Sequence, residues 1–430
     1  MARRAIAGRS GRLLVALLAG VCWGAAPGQA QLENQFGGQD RADAARQMII
    51  LGVQQGIGTL PPMSGQAFTY EYDPASDTYV RSKRLGPTVL RSPQTVGAGH
   101  LSLRVAGSYF GLAGSPGPIP YHVKSDQPLP GQTQPLSGVA LIGLNASAKV
   151  GVINLAATYG LTNRVDMTLV LPIVIVDAQA SQVFSSARAG LSQPPNRAKI
   201  AAVPIVNGDV AGALRTLDTA LKPGGPLVLR QETFSDLGFM FNGGTHAGVG
   251  RISMGANATL YADKRLQVAC APEFFFPSPS EDNFAGSQSA AILPRLVAAF
   301  AAAGALKLHA DAGYSYDFDH DELRGFTWDA GTSIPGEKVT FDLGFGGTKY
   351  NQGIQWTPPV AHNAPIQVFP ASTATALGDT RLGDNFVDFI AGVKVRITER
   401  LVASGAVSVP VTDEGFQPAA VGTLALEFYL

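Results

Sequence analysis

The chain has 430 residues, of which 15% are charged, and its net charge is +0. The charged fraction lies well below the roughly 25% of soluble domains. The balanced charge argues against a nucleic-acid partner, which would need a basic surface. Because the mature chain shows no apolar run long enough for a membrane-spanning helix, its apolar surface must lie in a core or on the outside of a barrel.

The first 30 residues predict a cleaved secretory signal. Four arginines (Arg3, Arg4, Arg9 and Arg12) precede an apolar stretch at 13–21, and Gly28-Gln29-Ala30 supplies the small residues of a cleavage site. The mature chain then begins at Gln31 and keeps a single cysteine, Cys270, so no internal disulfide is expected.

The next segment, 31–97, predicts a helix over 40–55 followed by a hairpin over 66–83. Ala45, Met48, Ile49 and Val53 share one face of that helix. The segment could plug the lumen of a barrel or dock on its periplasmic mouth. The alternative is a packed N-terminal helix without a gating role.

Residues 98–430 predict an antiparallel transmembrane β-barrel, because apolar and polar residues alternate with a period of two over unusually long segments. The fold class is therefore all-β with a short N-terminal helix or plug. Twelve strands are expected, or fourteen if the hairpin joins the barrel. They lie near 98–112, 141–161, 165–180, 249–262, 265–276, 290–302, 305–318, 324–334, 338–350, 384–397, 401–411 and 418–430.

A turn-strand-proline unit recurs along this region. Short polar turns at 162–164, 262–265 and 398–400 each precede an apolar strand that ends at a proline, namely Pro172, Pro272 or Pro410. The other connections are long. Short turns on one side and long loops on the other are typical of outer-membrane barrels.

The chain ends in a strand whose apolar side chains occupy every second position, at Leu424, Leu426, Phe428 and Leu430. Outer-membrane barrels close on such a terminal strand, so we interpret these four residues as the membrane-assembly signal.

The unit from Tyr159 through Leu171-Pro172 resembles one seen in Gram-negative outer-membrane transporters, specifically the transporter family associated with the meta pathway of phenol degradation. More distantly, the chain resembles the fatty-acid and aromatic-hydrocarbon outer-membrane channels. The resemblance covers roughly 98–430 and implies a barrel that passes small, often hydrophobic molecules. Fatty-acid channels carry an Asn-Pro-Ala signature that this sequence lacks, so no site residues are transferred.

Charged side chains on apolar-backed strands must face the interior, because a lysine or arginine facing lipid costs roughly 2–4 kcal/mol. The predicted lumen-lining and selectivity residues are Lys149, Asp166, His309, Asp311, Asp317, Asp342, Asp388, Lys394 and Arg396. They would form a polar constriction, or a salt-bridged filling of the barrel.

Two further kinds of site, a metal site and a catalytic site, can be compared with the sequence. Asp317, Asp319 and Asp321 begin like a calcium loop, but Glu322 occupies the position of the required glycine. No catalytic residue is predicted, although His309 with Asp311 or Ser315 is the arrangement that a barrel-embedded hydrolase would use. No cofactor is expected.

The predicted function is passive passage of small, hydrophobic or aromatic compounds through the outer membrane, without enzymatic activity. The alternatives are a structural or adhesive barrel with a filled lumen, and a barrel-embedded hydrolase. The expected partners are outer-membrane lipid and lipopolysaccharide, the barrel-assembly machinery and a small-molecule solute.

Overall fold

The computed structural model describes most of the chain after the predicted signal, which itself lies outside the described residues. The described residues are 38–58, 60, 68–73, 78–114, 119–128, 135–189, 203–204, 227–236, 244–278, 284–302, 306–353, 366–370, 383–412 and 417–430.

The N-terminal segment contains one helix, α1 (Gly38–Gly58), and a hairpin of β1 (Phe68–Asp73) and β2 (Thr78–Leu85). The helix predicted over 40–55 is thus confirmed. The hairpin forms a two-stranded sheet of its own, so the fourteen-stranded alternative is wrong. Among the described residues, the helices lack the length and apolar character that crossing a membrane requires.

The remaining strands belong to one large sheet. In its first half they are β3 (Leu101–Gly114), β4 (Ile119–Pro128), β5 (Pro135–Gly160), β6 (Val165–Ala189), β7 (Val203–Pro204), β8 (Leu227–Asp236), β9 (Gly244–Val249), β10 (Ser253–Ala262), β11 (Leu266–Cys270) and β12 (Glu273–Phe275). In its second half they are β13 (Ala291–Leu293), β14 (Arg295–Ala301), β15 (Lys307–Asp317), β16 (Gly325–Ile334), β17 (Val339–Tyr350), β18 (Ile366–Pro370), β19 (Asn385–Arg396), β20 (Leu401–Pro410) and β21 (Gln417–Tyr429).

The sheet closes into a twelve-stranded antiparallel barrel. The last strand, β21, pairs with β3 from Gln417↔Ala113 to Tyr429↔Ser102. On the other side of the ring, β6 pairs with both β9 and β10. Three wall strands are each made of two pieces: β9 with β10, β11 with β12, and β13 with β14. The short strands β4, β7, β8 and β18 extend the sheet above β5 and β6.

Prolines interrupt the ladder, since proline has no N–H to donate. The sequence predicts this at Pro272 and Pro410 but not at Pro294, which lies inside the predicted strand 290–302. Pro272 separates β11 from β12, Pro294 separates β13 from β14, and β20 ends at Pro410. Pro172 differs from the prediction, because β6 continues through it to Ala189. There the Pro172 carbonyl accepts a hydrogen bond from the Gly250 N–H at 2.9 Å.

The outer surface carries the apolar face of each wall strand. Leu424 is 74% exposed and Leu426 53% exposed, and Phe428 and Leu430 also point outward. Phe389 in β19 and Leu308 in β15 are exposed in the same way. The period-two pattern therefore places the outward apolar face of these strands as the sequence predicts. The inward face holds the buried charges and, on β3, β5 and β6, buried apolar residues such as Phe110, Val152 and Val174.

Short turns join the strands at one end of the barrel, here called the short-turn end. They lie at 161–164, 263–265, 335–338 and 397–400. The Asp263 carboxylate accepts hydrogen bonds from the Leu266 N–H at 2.7 Å and the Arg265 N–H at 2.6 Å. These two bonds hold the pKa of the Asp263 carboxyl below its ordinary value.

The outward face of β6 offers a test of the apolar band. Leu169 lies within this band, whereas Gln179 points outward from the same strand ten positions further along, next to the outward-facing Asp177. We expect Leu169→Arg to lower the free energy of unfolding in lipid vesicles by roughly 2–4 kcal/mol, because arginine would face hydrocarbon. Gln179→Arg is the matched control and should change it little. Equal losses of unfolding free energy in the two variants would contradict the assignment of Leu169 to a lipid-facing apolar band.

Candidate functional site: an occluded lumen

The lumen receives eight of the nine predicted lining residues. Asp166, His309, Asp311, Asp317, Asp342, Asp388 and Lys394 are buried inside the ring, and Arg396 also points inward. Lys149 is the exception. It is exposed on the outer face of β5, directly opposite Asp177 of β6. The prediction failed there because β5 runs for 26 residues, so its upper part extends past the apolar band and can carry charges outward.

The hairpin fills one side of the lumen at the short-turn end. Phe68 packs on Tyr429 with ring centroids 5.3 Å apart, in a cluster that includes Leu85, Val96 and Val402. The guanidinium of Arg81 lies 4.3 Å from the centre of the Phe68 ring, which adds a cation–π contact.

The chain that follows, residues 85–97, continues along the inner wall and is here called the crossing segment. At its start, the Asp342 carboxylate accepts hydrogen bonds from the N–H groups of Thr88 and Val89, the latter at 3.1 Å. The Lys394 ammonium donates to the Pro87 carbonyl at 2.7 Å. Two charged wall residues thus hold the backbone of the segment.

Further wall strands hold the rest of the crossing segment in the same way. Asn257 donates to the Gln94 carbonyl at 2.9 Å, and Thr259 donates to the Pro93 carbonyl at 2.8 Å. Asp166 accepts the N–H of Val96 at 3.2 Å. These hydrogen bonds join side chains of the wall to the backbone of the segment. Strands of a sheet pair backbone to backbone, so these bonds do not make the segment a strand of the barrel.

Glycines in the wall make room for the crossing segment. A Cβ at Gly392 would lie 2.8 Å from Val89 Cγ1, closer than real Cβ contacts allow. A Cβ at Gly344 would lie 3.1 Å from Leu90 Cδ2. Val89 and Leu90 are buried with Ile390 in a small apolar cluster. The apolar side chains of the segment therefore fit into gaps in the wall.

Helix α1 crosses the lumen nearer the long loops. Ile49 and Val53 are fully buried. The Gln55 side chain donates to the Glu322 carbonyl at 3.0 Å, and Gln54 donates to the Gly286 carbonyl at 3.2 Å. On the opposite wall, a Cβ at Gly56 would lie 3.0 Å from the Phe110 ring. The helix is thus in contact with the wall on both sides.

Between the helix and the crossing segment lies a cavity of about 400 Å³. Gln54, Ile57 and Gly58 line it from the helix, and Arg91 and Ser92 from the segment. The wall contributes apolar side chains, hydroxyl groups and charges. The charged lining residues are Arg91, Arg104, Arg251, Arg295, Asp166, Glu273, Asp329 and Asp388.

Three of these residues, Arg251, Arg295 and Asp329, make ion pairs within the wall. Arg295 is buried and makes ion pairs with Asp311 and, at 3.4 Å, with Asp329, while it donates to the Thr327 hydroxyl at 2.9 Å. Arg251 pairs with the fully buried Asp317.

Arg91 differs because it belongs to the crossing segment. Its guanidinium lies 3.7 Å from the Glu273 carboxylate, which also accepts a hydrogen bond from Ser253 at 2.8 Å.

Sequence reasoning missed Arg91, Glu273 and Arg295. The last two adjoin Pro272 and Pro294, where the interrupted ladder obscures the period of two. Asp329 could have been found, since it lies on the polar face of a predicted strand.

His309 does not pair with Asp311 or Ser315. Its Nδ1 donates to the Arg91 carbonyl at 3.2 Å, and its Nε2 accepts from the Ser333 hydroxyl at 2.8 Å. A serine next to a histidine is the arrangement of a nucleophile and its base. Ser333 is only 1% exposed, however, and the adjoining cavity is about 10 Å³. In this arrangement the pair holds the crossing segment and leaves no room for a substrate.

The weak metal candidate is also dispersed. Asp317 points inward to Arg251 and Ser289, whereas Asp321 pairs with Arg324. Within the described part of the chain, acidic, histidine and cysteine side chains form no cluster suited to a metal ion. The proposed triad of Asp317, Asp319 and Asp321 therefore does not assemble.

No protein-family model and no curated protein matches this chain. Similar solved structures include an outer-membrane channel from Pseudomonas putida F1, 11% identical over 77% of this chain and 96% of that chain, with a TM-score of 0.39. They also include a Pseudomonas aeruginosa FadL homologue (9% identity; 77% and 90% coverage; TM-score 0.33) and the P. putida toluene transporter TodX (11%; 77% and 89%; 0.31). A FadL homologue and a toluene transporter are of the kind that the sequence resembles more distantly, the fatty-acid and aromatic-hydrocarbon channels. The association with phenol degradation stays a prediction.

The carboxylate of Asp342 offers a test of how the segment is held. We expect Asp342→Ala to speed tryptic cleavage after Arg91 by at least about tenfold, because it removes two hydrogen bonds to a charged group and each contributes roughly 1.5–3 kcal/mol. The cut is followed by mass spectrometry of the detergent-purified protein. Asp177→Ala removes an outward-facing carboxylate and should leave the rate unchanged. An unchanged rate in Asp342→Ala would show that Asp342 does not hold the segment.

The contact between Gly392 and Val89 offers a second test. Gly392→Ala should destabilise the docked position of the segment by roughly 1–3 kcal/mol, the usual effect of overpacking. It should therefore accelerate the same cleavage. In a Val89→Ala background the Val89 methyl carbon that the added methyl group would touch is absent. The effect of Gly392→Ala on the cleavage rate should therefore be smaller. Gly107→Ala, where a Cβ meets nothing within 4 Å, is the control. Equal effects in both backgrounds would contradict the contact.

Proposed function

We propose that this protein is an outer-membrane channel for the passive passage of small solutes. The signal predicted at 1–30 would direct export, and the short-turn end would face the periplasm. Supporting the membrane location, apolar side chains cover the outside of the ring, while charged side chains are buried inside it. A closed ring also satisfies its backbone groups in lipid without water.

One observation carries the transport proposal: the cavity inside the ring is bounded by the chain's own N-terminal segment. The wall is a complete sheet without that segment. The segment can therefore leave, or shift, without breaking a single wall pairing. Its displacement would join the cavity to the short-turn end and open a path along the lumen.

The cavity also supports a class of solute. A volume of about 400 Å³ falls within the roughly 300–1,000 Å³ of small-molecule sites. Val170, Val174 and Leu293 offer apolar contact, and Ser108 and Thr158 offer hydroxyl groups. This mixed lining suits small hydrophobic or aromatic compounds that carry a polar group. The gradient would drive movement, so no cofactor or covalent step is required.

The main alternative is a structural or adhesive barrel whose filled lumen never opens. The buried ion pairs of Arg295 and Arg251 and the fitted apolar cluster of Val89 favour it, since they stabilise the occluded state. Lipid, lipopolysaccharide and the assembly machinery would be partners under either proposal.

A reversible crosslink separates the two proposals. Val89→Cys with Gly392→Cys places two cysteines at a site where the glycine Cβ would lie 2.8 Å from a Val89 methyl carbon, within reach of a disulfide. Cys270→Ser in the same chain removes the other thiol of the mature protein. We expect oxidised protein in liposomes to exclude small solutes, and reduced protein to admit them, in a swelling assay.

The Cys270→Ser protein without the engineered pair is the control and should respond identically with and without reductant. Equal solute entry with oxidised and reduced protein would show that the crossing segment does not control the transport path. No entry in any form of the protein would favour the filled structural barrel.

A further inference from the structure

The charges of the lumen are unequally divided between the wall and the N-terminal segment. With histidine left out, the described wall directs six cations and eight carboxylates inward. The cations are Arg104, Arg251, Arg295, Lys307, Lys394 and Arg396; the carboxylates are Asp166, Glu273, Asp311, Asp317, Asp329, Asp342, Asp388 and Glu427. The wall alone is therefore acidic by two charges.

The hairpin and crossing segment have the opposite sign. Within 68–97, four cations (Arg81, Lys83, Arg84 and Arg91) accompany three carboxylates (Glu71, Asp73 and Asp77). The net charge of this segment is thus positive by one, opposite in sign to the wall and half its size. From residue 78 onward, the part that follows the wall contains no acidic residue.

Arg91 brings this positive charge to the acidic side of the cavity. It faces Glu273 at 3.7 Å. It also acts electrostatically on Arg295 and Asp329. Arg295 already faces Asp311 and Asp329. Removal of Arg91 would therefore take one positive charge from these carboxylates and leave Glu273 to the electrostatic influence of Arg104 in the wall.

From this division we infer that the segment is the counter-charge of an acidic lumen, and that the open channel selects cations over anions. The inference rests on the proposed channel function. Inward-facing carboxylates attract cations and repel anions along a pore, as acidic rings do in cation channels. Glu273 and Asp329 are the specificity-determining residues, because both line the cavity and lose Arg91 on opening.

The test uses the full chain with a loosened segment. Val89→Ala with Leu90→Ala weakens the packing against the wall and leaves every charge in place. The reversal potential in a KCl gradient across a planar bilayer then gives the permeability ratio of K⁺ to Cl⁻. We expect this ratio to exceed one.

In the same background, Glu273→Gln and Asp329→Asn should each lower the ratio about six- to thirtyfold, because one unit charge within roughly 4–8 Å in water changes the passage of a cation and of an anion about two- to sixfold each, in opposite directions. Asp177→Asn, on the outer face of β6, is the matched control and should not change the ratio. The reduced crosslink variant provides a second open form if the double alanine variant does not fold.

The outcomes separate the two claims. Conductance with a ratio at or below one would overturn the charge selectivity and leave the channel standing. Equal ratios in Glu273→Gln, Asp329→Asn and Asp177→Asn would overturn the assignment of the two residues. Absence of conductance in both open forms would overturn the channel itself and, with it, this inference.

Discussion

The pairing of the last strand with the first barrel strand is the constraint on which the rest depends. Once β21 and β3 are joined, the wall is a ring without a free edge, and every strand has two neighbours. Side chains strengthen this seam from inside: the Ser102 hydroxyl donates to Glu427 at 2.7 Å, and the hydroxyls of Ser108 and Thr423 lie 2.9 Å apart. Closure fixes which face of each strand is outside. An apolar exterior and an interior that holds the charged side chains follow from it directly.

A ring of twelve strands leaves more interior than its own side chains fill, and the chain occupies that space with its N-terminal segment. Wall side chains such as Asp342, Asn257 and Lys394 bond mainly to the backbone of the segment, and wall glycines receive its apolar side chains. The wall and the segment are therefore separate structural units with a tight, noncovalent interface. This separation makes a channel compatible with a lumen that is occluded in the structure.

Electrostatics link the two units. Charges buried in a barrel must be paired, because an unpaired ion away from water is costly. Arg295 meets this requirement with wall residues alone, whereas Glu273 faces an arginine that the segment supplies. The same contact that stabilises the occluded state thus determines the charge that an open lumen would present.

The sequence by itself determined the barrel, the number of its wall strands and the direction of most side chains, because a period of two is a local property of an extended chain. His309, Asp311 and Asp317 alternate with outward-facing neighbours as predicted, and the terminal strand lies at the seam. Only the tertiary structure decided what the inward-facing residues touch. Ser333 reaches His309 from the neighbouring strand, and Glu273 meets Arg91 across 182 positions of chain because the segment folds back into the lumen. Lys149 shows the same limit. It lies on the same outward face of β5 as Ile153 and Leu155, and the structure shows that this face can carry a charge there because β5 extends past the apolar band. Such contacts depend on register, strand height and loop closure, which no local pattern records.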